Sequence, residues 1–209
     1  MSEDLRSGAR QWGGRLPLAE AGELTERQQA LAVQLHAFAV PWAERAGFVG
    51  TTREGHLIGP WNAQVHRPGP AAGFNQWVLA DQQGSTLSPR VREVIILTVA
   101  TAWQSGYAIY SHVAAARTAG LPDAVIAALR AGEPHADLSA GERAAHAFAN
   151  ELVRTHSVVD ETYQVALECF GQDGVLDLVQ LISIYLATTA QLNAFRVPGP
   201  ESEPRPSAS

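Results

Sequence analysis

No lysine occurs in the 209 residues, so all fifteen basic side chains are arginines. They are scattered, and against twenty-one acidic residues they leave a formal net charge of −6. A nucleic-acid partner needs a basic cluster, and none exists here. Cysteine occurs once, at Cys169, which excludes an internal disulfide and any Cys-x-x-Cys motif. No apolar run approaches the roughly eighteen uninterrupted residues of a membrane span, so no membrane partner is expected. The N-terminus is polar and lacks the apolar centre of a signal peptide, which makes the cytoplasm the expected location. Convincing strand alternation is missing as well. With 46% hydrophobic and 17% charged residues, the composition is that of one globular domain, and the pattern predicts an all-α fold.

What is present is helical punctuation. Met1 to about Leu24 reads as an irregular arm, broken by Gly13-Gly14 and Pro17 and able to dock through Trp12, Leu16 and Leu18. It fits a partner subunit and its own domain equally well. Thr25-Glu26-Arg27-Gln28 is a capping box that opens a helix to about Ala46, and Ser139-Ala140-Gly141-Glu142 is a second one. Between them lie a glycine- and proline-rich stretch with His56, Trp61 and His66, then a helix with Phe74, Trp77 and Val78 expected inward. The second box opens a helix with Ala145, Phe148 and Leu152, Asp160 is expected to cap the next one through Tyr163 and Leu167, and Gly171 and Gly174 precede a long apolar helix from Val175 to about Phe195. The domain is therefore drawn at residues 25–198, and the polar, proline-rich 199–209 as a disordered tail.

The most apolar segment, Leu87 to Leu121, holds the candidate chemistry. Ser88 and Pro89 form a helix start, and Val91 to Trp103 is apolar enough to be buried all round. Ser105-Gly106 interrupts it, and a second helix runs on to Gly120. Ser105, Ala108 and His112 recur at i, i+3 and i+7, which stacks them on one face. An imidazole can give and take a proton near neutrality. The plainer alternative is a buried histidine kept for structure alone. Trp61 and Trp103 suit core packing as well as a substrate platform. His56 and His66 have no metal-like spacing, so no metal is assigned.

These residues carry a family resemblance. The run RVREVIILTVATAWQSGYAIYSH-x-x-x-A-x-x-x-G-L resembles the core of the carboxymuconolactone decarboxylase family, which includes the alkylhydroperoxidase AhpD-like proteins. GPWNAQVHRPGPA, LSAGERAAHAFANELVRTHSVVDETY and LNAFRVP extend the similarity over Pro17 to Pro198. The redox branch has two cysteines where this chain has Ser105 and Ala108, and the decarboxylase branch has a glutamate where it has Ala108. Tyr107, His112 and Glu93 are retained. The resemblance implies an AhpD-like helical domain that forms trimers or hexamers through its central helices. It implies a cofactor-independent lyase- or isomerase-type enzyme rather than a thiol peroxidase. The substrate would be a small cyclic or unsaturated carbonyl compound, a carboxylic acid included. His112, Glu93 and Tyr107 would be catalytic, and Ser105, Ala108, Trp103, Trp61 and His66 would line the substrate site. The alternative is a non-catalytic binding or assembly protein on the same fold.

Overall fold

The computed structural model describes residues 12–199. Eight α-helices form among them: α1 (Glu26–Ala46), α2 (Pro60–His66), α3 (Pro68–Gly84), α4 (Pro89–Ala102), α5 (Gly106–Thr118), α6 (Asp123–Ala131), α7 (Ala140–Thr155) and α8 (Asp160–Ala194). No strand forms among the described residues beyond one antiparallel bridge between Thr51 and Leu57 in the α1–α2 loop. The tail beyond Gly199 and the first eleven residues of the arm lie outside the described residues.

The helix ends follow from local chemistry. The Ser88 hydroxyl accepts the Val91 N–H at 3.3 Å, and Pro89 occupies the first turn, where no donor is needed. Both capping boxes close, Thr25 with Gln28 and Ser139 with Glu142. Asp160 is the first residue of α8 rather than its cap; Val159 precedes it and offers no side-chain oxygen. Gly171 adopts φ 67° and ψ −179°, a left-handed break that divides α8 into two helical halves. By length and composition alone α8 could cross a membrane, but its apolar residues Val175, Leu178, Leu181 and Ile182 belong to the core.

Helix α4 is the axis of the fold. Val94, Ile95, Leu97, Val99 and Ala100 are fully buried, on faces that point in different directions, because α5, α6, α7 and α8 surround it. Its apolar surface is thus covered within one chain. Each of these valine, leucine and isoleucine side chains contributes about 1.5–3 kcal/mol of burial. One expectation changes. Trp77 stands 38% exposed because its indole N–H donates to Gln180 at the surface, 2.9 Å away. Cys169, of a residue type most often buried, is exposed on α8.

Arg90 staples α4 to its neighbours. Its guanidinium donates to Glu142 at 2.6 and 3.3 Å and to the Gly120 carbonyl at 2.9 Å. Burial pushes the Glu142 carboxyl up, but hydrogen bonds from Arg90 and from the Ser139 N–H outweigh it and hold the group below its usual range. A depressed carboxylate pKa stabilises fully above the unfolded value of about 4.3 and is lost as pH falls through the lower folded value. Arg90→Met should therefore cost about 1–3 kcal/mol at neutral pH, and the deficit should shrink under acid. Urea unfolding at neutral and acid pH checks this; a deficit unchanged by acid would contradict it.

Candidate functional site

Helices α4 and α5 form a hairpin. The chain turns at Gln104, held at φ 50°, and the Ser105 N–H donates to the Ala100 carbonyl at 2.9 Å. The hairpin lays α5 against α4, so that His112 Nδ1 meets Glu93 Oε2 at 2.8 Å. The second half of α8 closes the other side, where the Tyr185 hydroxyl lies 3.0 Å from His112 Nε2 with the two rings perpendicular at 89°. A carboxylate only accepts, so Nδ1 carries a hydrogen. In the neutral imidazole Nε2 is then the acceptor, and Tyr185 donates to it. Burial, followed by the nearby Glu93 charge, pushes the Tyr185 hydroxyl well above the usual phenol range, so it remains a protonated donor.

His112 and Tyr185 face a half-open cavity of about 650 Å³. Its walls carry an aromatic group, Trp42, Phe48 and Trp61 packed edge-to-face and stacked, and Phe74 lines it as well. Trp42 lies 6.1 Å from the His112 ring. Polar side chains share this lining, among them Gln34, Asn75, Gln76, Gln82 and Thr188. Gln64 is buried, and its Oε1 has no hydrogen-bond partner. Arg45 is the only cation on the wall and pairs with none of the described carboxylates.

Of the residues singled out from the sequence, the fold brings His112, Ala108, Tyr107 and Trp61 to this cavity, with Glu93 behind His112. Tyr107 does not reach His112. Its hydroxyl donates to the Val49 carbonyl at 2.9 Å while Tyr110 accepts from the Val49 N–H at 3.0 Å, so the two tyrosines clamp that loop. Gly59, at φ 64°, makes room for the Tyr107 ring; a Cβ there would lie 2.3 Å from Tyr107 Cε1. Three other residues are elsewhere. Ser105 is sealed in the core as the N-cap of α5. Trp103 is 39% exposed beyond the end of α4. His66 donates through Nε2 to the Pro17 carbonyl at 2.9 Å, pinning the arm. Asn62 holds the same arm through Pro17 and Ala19, each at 3.0 Å, so residues 12–24 pack on their own chain. His56 pairs with Glu20 and Thr52 and meets neither His66 nor His112. Sequence reasoning missed Tyr185, Trp42, Gln64 and Arg45. A lone aromatic ring in the aliphatic and hydroxyl-bearing run LISIYLATTA was the one available signal.

No curated protein matches the chain. Among solved structures, a peroxidase-related protein with an alkylhydroperoxidase AhpD core from Ralstonia eutropha JMP134 superposes with a TM-score of 0.70 at 18% identity, covering 90% of this chain and 92% of its own. A protein of unknown function from Agrobacterium tumefaciens, described as a putative antioxidant defence protein AhpD, gives 0.62 at 15% identity over 68% of this chain and 97% of its own. The debrominase Bmp8, in a variant bound to 2,3,4-tribromopyrrole, gives 0.65 at 15% identity over 81% and 87%. Residues 68–151, which hold α3 to most of α7 and both Glu93 and His112, match the carboxymuconolactone decarboxylase family. The chain has an all-α fold like that of the AhpD-core proteins, and residues 68–151 within it match the model of the carboxymuconolactone decarboxylase family.

Proposed function

We propose that the protein is an enzyme related to carboxymuconolactone decarboxylase that acts by general acid–base chemistry on a small cyclic or unsaturated carbonyl compound. The observation that carries this reading is the Glu93–His112–Tyr185 chain ending at an aromatic cavity. A conjugated carbonyl accepts the electrons released when a carbon–carbon or carbon–hydrogen bond breaks, so the substrate supplies its own electron sink and no cofactor is required. The protein's task is to hold the ring, stabilise the developing enolate and move a proton. His112 does the last, oriented by Glu93, with Tyr185 as its contact to the ring. Gln64 Oε1 suits a hydroxyl or N–H on the substrate, and Arg45 suits a carboxylate. The pyrrole held by Bmp8 supports a ring-sized ligand for this fold.

Thiol chemistry is not part of the proposal. Ser105 and Ala108 carry no sulfur, and Cys169 does not line the cavity. Assembly into trimers or hexamers is proposed as well, supported by exposed apolar side chains on α1 and α8, among them Val33, Phe38, Leu176 and Val179.

The test is incubation with carboxymuconolactone and related unsaturated lactones in heavy water without added cofactor. Deuterium should enter at the carbon α to the carbonyl, or carbon dioxide should be released, and Cys169→Ser should leave the rate unchanged. Saturable binding without exchange or turnover would favour the non-catalytic alternative. A rate abolished by Cys169→Ser in folded protein would restore thiol chemistry.

A further inference from the structure

A second cleft lies away from the His112 cavity, where α7 passes the turn that follows α6. Arg143, His146, Asn150 and Arg154 recur at i, i+3, i+7 and i+11, so one stripe of α7 lines it. Gly132 keeps the opposite wall low, and a Cβ there would already touch the Arg154 guanidinium at 3.4 Å. Neither arginine pairs with a described carboxylate. Arg143 donates to the Leu138 carbonyl and Arg154 to Asn150 Oδ1 at 2.8 Å, which leaves further N–H groups on each. Glu133 is the only carboxylate on the wall, so positive charge is in excess.

The histidine is the informative member. His146 is 95% buried by its 5% exposure, and its Nδ1 lies 2.9 Å from Thr98 Oγ1. Thr98 spends its own hydrogen on the Val94 carbonyl at 2.7 Å, so its oxygen must accept from Nδ1–H. Neutral His146 therefore turns an unprotonated Nε2 toward the cleft, and no group among the described residues bonds to it. Burial holds the ring below the ordinary histidine range, with Arg154 pushing the same way and Glu133 opposing. The site thus combines several cationic donors with one buried acceptor.

We propose that this cleft binds hydrogenphosphate, whose oxygens take the Arg143 and Arg154 donors and whose one hydroxyl donates to His146 Nε2. Sulfate matches the charge and shape but has no hydrogen to give. A phosphate monoester loses its last hydrogen with a pKa near 6, so it also lacks one at about pH 8. The inference is independent of the chemistry assigned to His112.

Calorimetric titration of the full chain with inorganic phosphate, sodium sulfate and methyl phosphate at about pH 8 tests it. Phosphate should bind at millimolar concentration or below, and the other two at least about tenfold more weakly. Arg154→Gln, at an exposed position, should weaken phosphate by about tenfold or more without unfolding the protein. In histidine-labelled protein the His146 Nε2 nitrogen signal should move with phosphate and stay still with sulfate. Equal affinity for phosphate and sulfate, no saturable phosphate binding, or binding indifferent to Arg154→Gln would each overturn the proposal.

Discussion

His112→Ala should lower turnover about a hundredfold or more, the usual scale for removing a general acid or base. The substitution takes away the one group in contact with both Glu93 and Tyr185, at 2.8 and 3.0 Å, so orientation and proton transfer are lost together. It also leaves a mostly buried Glu93 carboxylate without its partner, which costs about 1–3 kcal/mol of stability. His112→Gln separates the two effects, because an amide keeps hydrogen-bonding capacity for Glu93 but transfers no proton. Both variants should show the low rate, and only the alanine variant should lose stability. The measurement is deuterium incorporation or turnover in protein whose helicity and assembly match the parent. Unchanged rates would remove His112 from the mechanism and leave the Glu93 contact as a structural hydrogen bond.

Local features were the legible part of this chain. Ser88-Pro89, the Thr25 and Ser139 capping boxes and the Gly120 stop depend on residues a few positions apart, and the helices begin and end there. Burial of α4 was readable from its apolar run. What covers it was not, because α5 to α8 reach it from sites far along the chain. Helical periodicity grouped Ser105 with Ala108 and His112, yet Ser105 is the N-cap of α5 and points into the core rather than the cavity. The Glu93–His112 pairing came from the family resemblance, since spacing alone does not say that two helices lie side by side. Tyr185 is 73 positions from His112 and reaches it only through tertiary packing, so no local spacing pointed to it. Trp77 and Cys169 show the converse: residue type favours the interior, but a surface partner or an outward helix face decides otherwise.

Tyr185→Phe should cost about tenfold to a hundredfold in turnover, while Tyr107→Phe should leave the rate within about threefold. The two residues share a cavity wall and differ in what their hydroxyls serve. Tyr107 gives its hydrogen to the Val49 carbonyl, so its loss unpairs a loop acceptor and lowers stability by about 1 kcal/mol without touching the proton path. Tyr185 gives its hydrogen to His112 Nε2 and faces the ligand space. When His112 becomes charged, Nε2–H donates to the Tyr185 oxygen instead, and the phenol hydrogen is released toward the cavity, where a developing enolate oxygen can accept it. Phenylalanine keeps the ring and its perpendicular contact but cannot exchange donor and acceptor roles. A fall in kcat with little change in KM is therefore expected, together with a shifted pH–rate profile as His112 loses its partner. Equal losses in the two variants would mean that both tyrosines only shape the cavity. No loss in Tyr185→Phe would take the hydroxyl out of the reaction and leave His112 to meet the substrate alone.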